Sequence, residues 1–435
     1  MTDMMIGLSG VGILLLLMAL RVPIAVSLGV VSLGGIVALR GVDPALGMLR
    51  AMPYEFGASW TLSAVPMFLL MGAFAYHSGL TRLLYDAARL WLMRVPGGLA
   101  LATNFGSAGF AAVSGSSMAT TASMGRLAIP EMLRYGYDRG LATGTVAASG
   151  TLGALIPPSI LFIIYGWYTE QSISKLFLAG VIPGLLTAVS FASMIVIRCW
   201  LNPKLAPRRH EQVSWAERMA SLRAVWPLPL LVLGVLGSIY GGVASPTEAG
   251  ALGAAMTLAI ALLQRRLPWR AFCASLAEAL RTTASIFFIA IGAVMLTRFL
   301  AMAGLSTGLV ELVTSMDMTV AWALLALVLV YLVLGMFLDP LGVMLLTLPV
   351  FLPVFHALNM DLIWIGVLVV KLIEVGLLTP PVGMNVYVVK SVVGDQVALG
   401  TVFKGLLWFL LCEALLLLLL GSFPQLALWL PNLVG

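Results

Sequence analysis

Two copies of Gly-x-x-x-Pro-Pro, at positions 153–158 and 376–381, sit inside apolar stretches long enough to be membrane helices. Consecutive prolines remove two backbone donors and leave the carbonyls of the preceding turn without partners. In lipid such a break persists only where the freed groups are buried in protein or used on an ion, so paired breaks point to a transporter's binding site. Pro157 and Pro380 are 223 residues apart, and the same separation relates Pro158 to Pro381, Pro130 to Pro353 and Pro23 to Pro246. Four proline pairs in one register imply an internal duplication.

Composition supports a bilayer as the solvent. Of the 435 residues 61% are hydrophobic and 10% charged, with a mean hydropathy of +1.06, whereas soluble domains are about a quarter charged. The first apolar run carries Asp3 and no basic flank, so it reads as a retained helix rather than a cleaved signal. The net charge of +6 would suggest nucleic acid in a soluble chain, but here Lys and Arg fall mainly in loops, so no nucleic-acid partner is expected. Cys199, Cys273 and Cys412 lack metal-ligand spacing, His77, His210 and His356 form no constellation, and no phosphate-binding loop occurs. Neither a cofactor nor ATPase chemistry is expected.

A bilayer core of about 30 Å needs about 20 helical residues. On that measure crossings fall at 5–21, 22–39, 60–78, 140–166 with the first break, and 176–199; the second half gives 225–243, 247–264, 282–303, 361–390 with the second break, and 405–425. Two regions are too short for two crossings: 97–133, interrupted by Ser114-Gly115-Ser116-Ser117, and 320–356, interrupted by Leu338-Asp339-Pro340-Leu341-Gly342. Both read as re-entrant helical hairpins, and the 223 offset lays Ser116-Ser117 on Asp339-Pro340. The expected fold class is therefore an all-α polytopic membrane protein of two repeats, each with a hairpin followed by a discontinuous helix. Repeat 1 covers 1–200, with helices in 1–78 and a connecting arm at 80–95; 201–224 is a basic linker; repeat 2 covers 225–435, with helices in 225–303 and an arm at 304–318.

Five crossings per repeat, an odd number, would invert the second repeat relative to the first. Charge agrees. The loop with Lys204, Arg208, Arg209, Arg218 and Arg223 and the loop with Arg265, Arg266, Arg270 and Arg281 should be cytoplasmic. An external N-terminus then also places Arg82, Arg89, Arg94, Arg134, Arg139, Lys390 and Lys404 inside, with Arg40, Arg50 and Lys175 as exceptions. Both termini are thus expected to be periplasmic.

At the first hairpin tip, hydroxyls and unpaired carbonyls supply the hard oxygens a small cation needs, and a helix N-terminus can face a carboxylate. Thr120 to Ser123 read better as helix packing. Asp339 is either an intramembrane cation or proton ligand or a helix cap. Lys371 and Glu374, three apart on one helix face, are either an ion pair or a coupling site. Ser159 and Asn385, just past the breaks, are polar site linings. Ser245-Pro246-Thr247-Glu248 is a capping box.

Ala112-Val113-Ser114-Gly115-Ser116-Ser117-Met118-Ala119-Thr120, Gly153-x-x-x-Pro157-Pro158-Ser159, Ala244-Ser245-Pro246-Thr247-Glu248-Ala249-Gly250 and Thr379-Pro380-Pro381-Val382-Gly383-Met384-Asn385 together resemble the large membrane subunit of tripartite ATP-independent periplasmic (TRAP) transporters. The resemblance spans essentially the whole chain. It implies sodium-coupled uptake of an organic acid, such as a C4-dicarboxylate or sugar acid, across the bacterial inner membrane by an elevator movement. It also implies two partners, a small four-helix membrane subunit and a periplasmic solute-binding protein. One ion site would use Ser114, Gly115, Ser116 and Ser117 with Gly153 and Pro157; the other would use Leu338, Asp339 and Gly342 with Gly376, Thr379 and Pro380. Substrate would meet Ser116, Ser117, Pro158, Ser159, Pro340, Pro381 and Asn385. The hairpins and broken helices would move against a scaffold of 1–78 and 225–303. Each charge carried inward is worth about 2.3 kcal/mol per 100 mV, so a few cations per substrate suffice without ATP.

The competing readings are a one-component sodium- or proton-coupled anion transporter or antiporter, an intramembrane enzyme, and a channel. No His-Glu-x-x-His motif occurs, and the Gly-x-Ser-x-Gly string at 304–308 falls in the arm rather than on a span, so neither supports an enzyme; no repeated filter segment supports a channel.

Overall fold

The computed structural model describes residues 2–207, 213–316 and 318–434, and every regular element among them is a helix. Arg208, Arg209 and His210 lie outside the described residues. The first half runs α1 (Asp3–Ala19), α2 (Ile24–Arg40), α3 (Val42–Gly57), α4 (Ala64–His77), α5 (Leu80–Leu92), α6 (Gly98–Ser114), α7 (Ser117–Arg134), α8 (Arg139–Gly150), α9 (Leu152–Leu155), α10 (Ile160–Tyr168) and α11 (Ile173–Leu201). The second runs α12 (Trp215–Ala224), α13 (Pro227–Tyr240), α14 (Pro246–Leu263), α15 (Trp269–Met302), α16 (Leu305–Ser315), α17 (Val320–Gly335), α18 (Pro340–Ala357), α19 (Leu362–Gly376), α20 (Met384–Val393), α21 (Leu399–Ser422) and α22 (Gln425–Val434).

Local chemistry sets the boundaries. Asp138, Ser159, Ser172 and Asp361 cap the helices that follow them, each accepting from a backbone N–H of the first turn. Ser245 and Glu248 form the expected capping box, with Pro246 in the first turn. Among the described residues six helices are long and apolar enough to cross a membrane, or up to eight if each bent pair is one span. Leu8, Leu233 and Leu418 are 56%, 71% and 68% exposed, the arrangement expected of lipid-facing surfaces.

The elements recur in register. Ser117–Arg134 and Pro340–Ala357 are 223 residues apart at both ends, as are the starts of α8 and α19. In the first break α8–α9 and α10 meet at 42°, and both Pro-Pro bonds are cis.

Four elements differ from the sequence reading. α15 begins at Trp269 rather than 282, because its opening stretch 269–281, with Arg270, Glu278 and Arg281, precedes the apolar part. α3 is not apparent as a crossing from sequence because the exposed Asp43, Arg50 and Glu55 break its apolar run, although Ala45, Met52 and Phe56 are buried on its other side. The second half of the 201–224 linker is α12, opened by a Ser214–Glu217 capping box. A further helix, α22, follows α21 and packs on α11.

Helices α2, α3 and α4 pack on α15 and α14 packs on α4, while α6 to α9 pack with α11 and with α19 to α21, and α10 packs on α11 and α19. The arm α5 lies along α6 and is tied to α7 by the Arg89–Glu131 ion pair. At the hairpin base, Leu99 N donates to the Tyr137 hydroxyl at 3.1 Å, holding the two ends together.

Candidate functional site

The first tip is seated on the first break by contacts that need glycine. Gly115 turns the chain with φ +61, and a Cβ there would lie 2.7 Å from the Pro158 carbonyl oxygen. A Cβ on Gly153 would lie 2.5 Å from the Ser116 carbonyl oxygen. Ile160 N donates to Gly115 O at 3.2 Å, joining break to tip. Ser116 caps α7, its Oγ accepting from Ala119 N at 3.4 Å. Thr120 Oγ1 donates to Ser116 O at 2.8 Å and lies 3.0 Å from Ser114 Oγ. Thr120 therefore belongs to the tip, although its sequence context suggested packing alone.

The second tip repeats this with different chemistry. Asp339 caps α18, its carboxylate accepting from Gly342 N at 3.0 Å, at the position equivalent to Ser116. The cap reading of Asp339 is thus realised, and the same carboxyl lines a cavity. Gly335 and Gly376 touch through their backbones, since a Cβ on Gly376 would meet Gly335 Cα at 2.7 Å. Gly383 N, equivalent to Ile160 N, donates to Met336 O at 3.1 Å.

The two tips meet. A cavity of about 140 Å³ is lined by Gly115, Ser116 and Ser117 from one, Asp339 and Pro340 from the other, and Leu69, Thr282 and Ile286 from α4 and α15. Gly153, Pro157, Pro158 and Ser159 at the first break, and Gly376, Thr379, Pro380 and Pro381 at the second, do not line it, although Ala154, Ile160 and Leu161 beside the first break do. Nor do Ser114, Leu338, Gly342 and Asn385. Ser159 is fully buried as the cap of α10, and Thr379 donates its hydroxyl to Val375 O at 2.7 Å. Asn385 is buried with Nδ2 3.4 Å from Ala147 O, and its Oδ1 has no partner among the described residues.

A larger cavity, about 390 Å³, runs from the first tip along the seam between α7 and α4/α15. Ser116, Ala119, Ser123 and Arg126 line it from α7, Gly72, Tyr76 and His77 from α4, and Glu278 and Thr282 from α15. Arg126 Nη1 donates to Tyr76 Oη at 2.9 Å, and His77 Nε2 lies 2.9 Å from Glu278 Oε2. In the other direction the seam is closed. Phe56 of α3 stacks edge-on against Trp167 of α10 at 4.9 Å and Phe287 of α15 at 5.1 Å between ring centroids, and Tyr168 Oη lies 2.6 Å from Thr297 Oγ1.

The buried charges correct the sequence reading. Lys371 does not pair with Glu374. Its Nζ is 2.5 Å from Glu413 Oε2 of α21 and donates to Thr187 Oγ1 of α11 at 2.8 Å. Glu374 instead accepts from Ser117 Oγ at 2.9 Å, joining a broken helix of the second half to the hairpin of the first. Sequence reasoning passed over Glu413 and Arg126, yet each carried a signal: Glu413 is the lone acid of an apolar helix, and Arg126 the lone base within 97–133.

The model of the family described as tripartite ATP-independent periplasmic transporter, DctM component, matches residues 11–426. A C4-dicarboxylate TRAP transporter large permease protein of Pseudomonas aeruginosa is 37% identical over 384 residues, 88% of each chain. An isethionate TRAP transporter permease protein of Oleidesulfovibrio alaskensis is 32% identical over 89% of this chain and 60% of its own length. In fold, the chain is similar to the solved Alcanivorax borkumensis YdaH transporter, with a TM-score of 0.60 and 15% identity over 90% of both chains.

Proposed function

Because the chain belongs to the DctM family of tripartite ATP-independent periplasmic transporter components, we propose that this multi-pass membrane protein carries an organic acid inward in symport with sodium. The observation that carries the reading is the meeting of the two tips across one cavity, where Ser116, Ser117 and Asp339 offer hydroxyl and carboxylate oxygens beside two helix N-termini. Hard oxygens suit a small cation, and helix N-termini favour an anion's carboxylate. One ion takes the Ser114–Ser117 tip with the backbone of the Gly153–Pro157 break; the other takes Leu338–Gly342 with the Gly376–Pro380 break. Sodium is cargo here.

Charge counting puts the hairpin base, with Arg82, Arg89, Arg94, Arg134 and Arg139, on the cytoplasmic side and both termini in the periplasm. On that orientation the repeats are inverted, the larger cavity opens inward and the aromatic seal faces outward. The hairpins, broken helices, α11 and α21 then move as one body against α1 to α4 and α13 to α15. A small four-helix membrane subunit and a periplasmic binding protein complete the system in the bacterial inner membrane. Relatives named for a C4-dicarboxylate and for isethionate support an anionic substrate.

The test is uptake of a panel of labelled organic acids into vesicles holding this chain, the small subunit and the binding protein, each omitted in turn, with and without a sodium gradient. Uptake that needs all three and collapses without sodium is expected. Ser116→Ala and Asp339→Asn should then each raise the sodium needed for half-maximal uptake by about tenfold. Sodium-independent uptake by this chain alone would replace the reading with a one-component proton-coupled transporter.

A further inference from the structure

We infer that Arg126 is an anion-receiving station on the release side of the transport site, a step beyond the tips that accepts the substrate's carboxylate or sulfonate head after it leaves Ser116. The inference rests on the organic-acid reading above and assigns a residue that reading does not use.

The cavity below the first tip is built for a small solute. Its lining from α7 is Ser116, Ala119, Ala122, Ser123 and Arg126, a single face at helical spacing. Small side chains on that face, with Gly72 and Ala73 opposite, leave the roughly 390 Å³ open. That volume lies within the range of small-ligand sites. Ser116 to Arg126 is ten residues of helix, about 15 Å at 1.5 Å per residue. Arg126 thus sits almost three turns inward of the tip, lining the larger cavity and not the one where the two tips meet, so it is a second station apart from the tip site.

Charge favours an anion there. Arg126 is exposed to the cavity, its guanidinium donates to the neutral Tyr76 hydroxyl at 2.9 Å, and no carboxylate pairs with it among the described residues. The acid that shares the cavity, Glu278, is engaged by His77 at 2.9 Å. Tyr76 holds one edge of the guanidinium, which leaves the other donors of the planar fork for a carboxylate or sulfonate. A cation set just inward of the tip lowers the energy of the anion along the exit and keeps it from rebinding the tip; its exposure keeps the attraction weak enough for release.

The experiment uses the full-length chain in liposomes, in a Cys273→Ser background that removes the exposed native thiol. A thiol is placed in the cavity by Ala122→Cys and labelled with a membrane-impermeant maleimide. Succinate and isethionate are the probes, with succinamide as the neutral control. Succinate and isethionate should slow labelling and succinamide should not. Arg126→Gln should raise the concentration needed for half-protection about tenfold, while Arg126→Lys recovers most of it. Protection unchanged in Arg126→Gln, protection equal with succinamide, or an introduced thiol that cannot be labelled would each overturn the assignment. If protection behaves as expected but no acid of the uptake panel is transported, the anion station stands and the transport reading fails. If uptake proceeds and protection ignores Arg126, the reverse holds.

Discussion

Lys371 and Glu413 face each other at 2.5 Å with side chains 1% and 0% exposed. Removing one member of such a pair leaves a buried charge alone, whereas replacing both with apolar groups of similar size removes the demand for a partner. Glu413→Ala should therefore cost about 3–5 kcal/mol. The Lys371→Met/Glu413→Leu double variant should recover most of that loss, as read by thermal unfolding of the purified protein in detergent. Equal destabilisation by single and double variants would mean that the pair does more than satisfy itself. Ser117 has a parallel role for Glu374, whose Oε2 has no partner among the described residues. Ser117→Ala would leave the whole carboxyl unpartnered at a cost of about 1–3 kcal/mol, and Ser117→Thr should be tolerated far better. That pair also joins the two halves of the chain, so its loss should loosen the hairpin as well as the helix.

Where helices cross, glycines set the spacing. α8 and α21 approach so closely that a Cβ on Gly405 would lie 2.0 Å from Gly140 O, and one on Gly144 2.8 Å from Gly405 C. Small residues at such a crossing let backbones meet in a membrane interior. Gly405→Ala should push the two helices apart and destabilise the protein by at least about 1–3 kcal/mol, whereas Gly400→Ala on the same helix, where a Cβ meets nothing within 4 Å, should be silent. Thermal midpoints of the two variants side by side test this. The same elements show how far the sequence could be read. The 223-residue register placed Ser116 opposite Asp339, and both are N-caps on equivalent helices, because a cap is a local event written in a few adjacent residues. The proline breaks were legible for the same reason. Partners were not. Local spacing suggested that Lys371 pairs with Glu374, but the partner sits on α21 and is set by tertiary packing. α3 escapes a search for crossings because the charges on its exposed side break the apolar run, so neither a hydropathy window nor a span length singles it out.

The seam between the two packed groups of helices is open on one side and sealed on the other. Toward Arg126 and Glu278 it holds a cavity of about 390 Å³, and toward Phe56, Trp167 and Phe287 it is filled by aromatic rings. A transporter that alternates between two faces must break the seal and close the cavity in the same movement, since both lie along α15 on either side of Thr282. Phe56 and Trp167 belong to opposite groups and their rings are 4.9 Å apart, so thiols at Phe56→Cys and Trp167→Cys lie within reach of a short bifunctional reagent in this arrangement. Cross-linking them in the Cys273→Ser background should stop uptake in the complete vesicle system, and a reducible linker should restore it on reduction. Cross-linked protein should keep an Ala122→Cys thiol reactive, because the seal and the cavity coexist. Uptake that continues through the cross-link would show that α3 and α10 stay together throughout the cycle, and the boundary between moving and fixed helices would then have to lie elsewhere than along this seam.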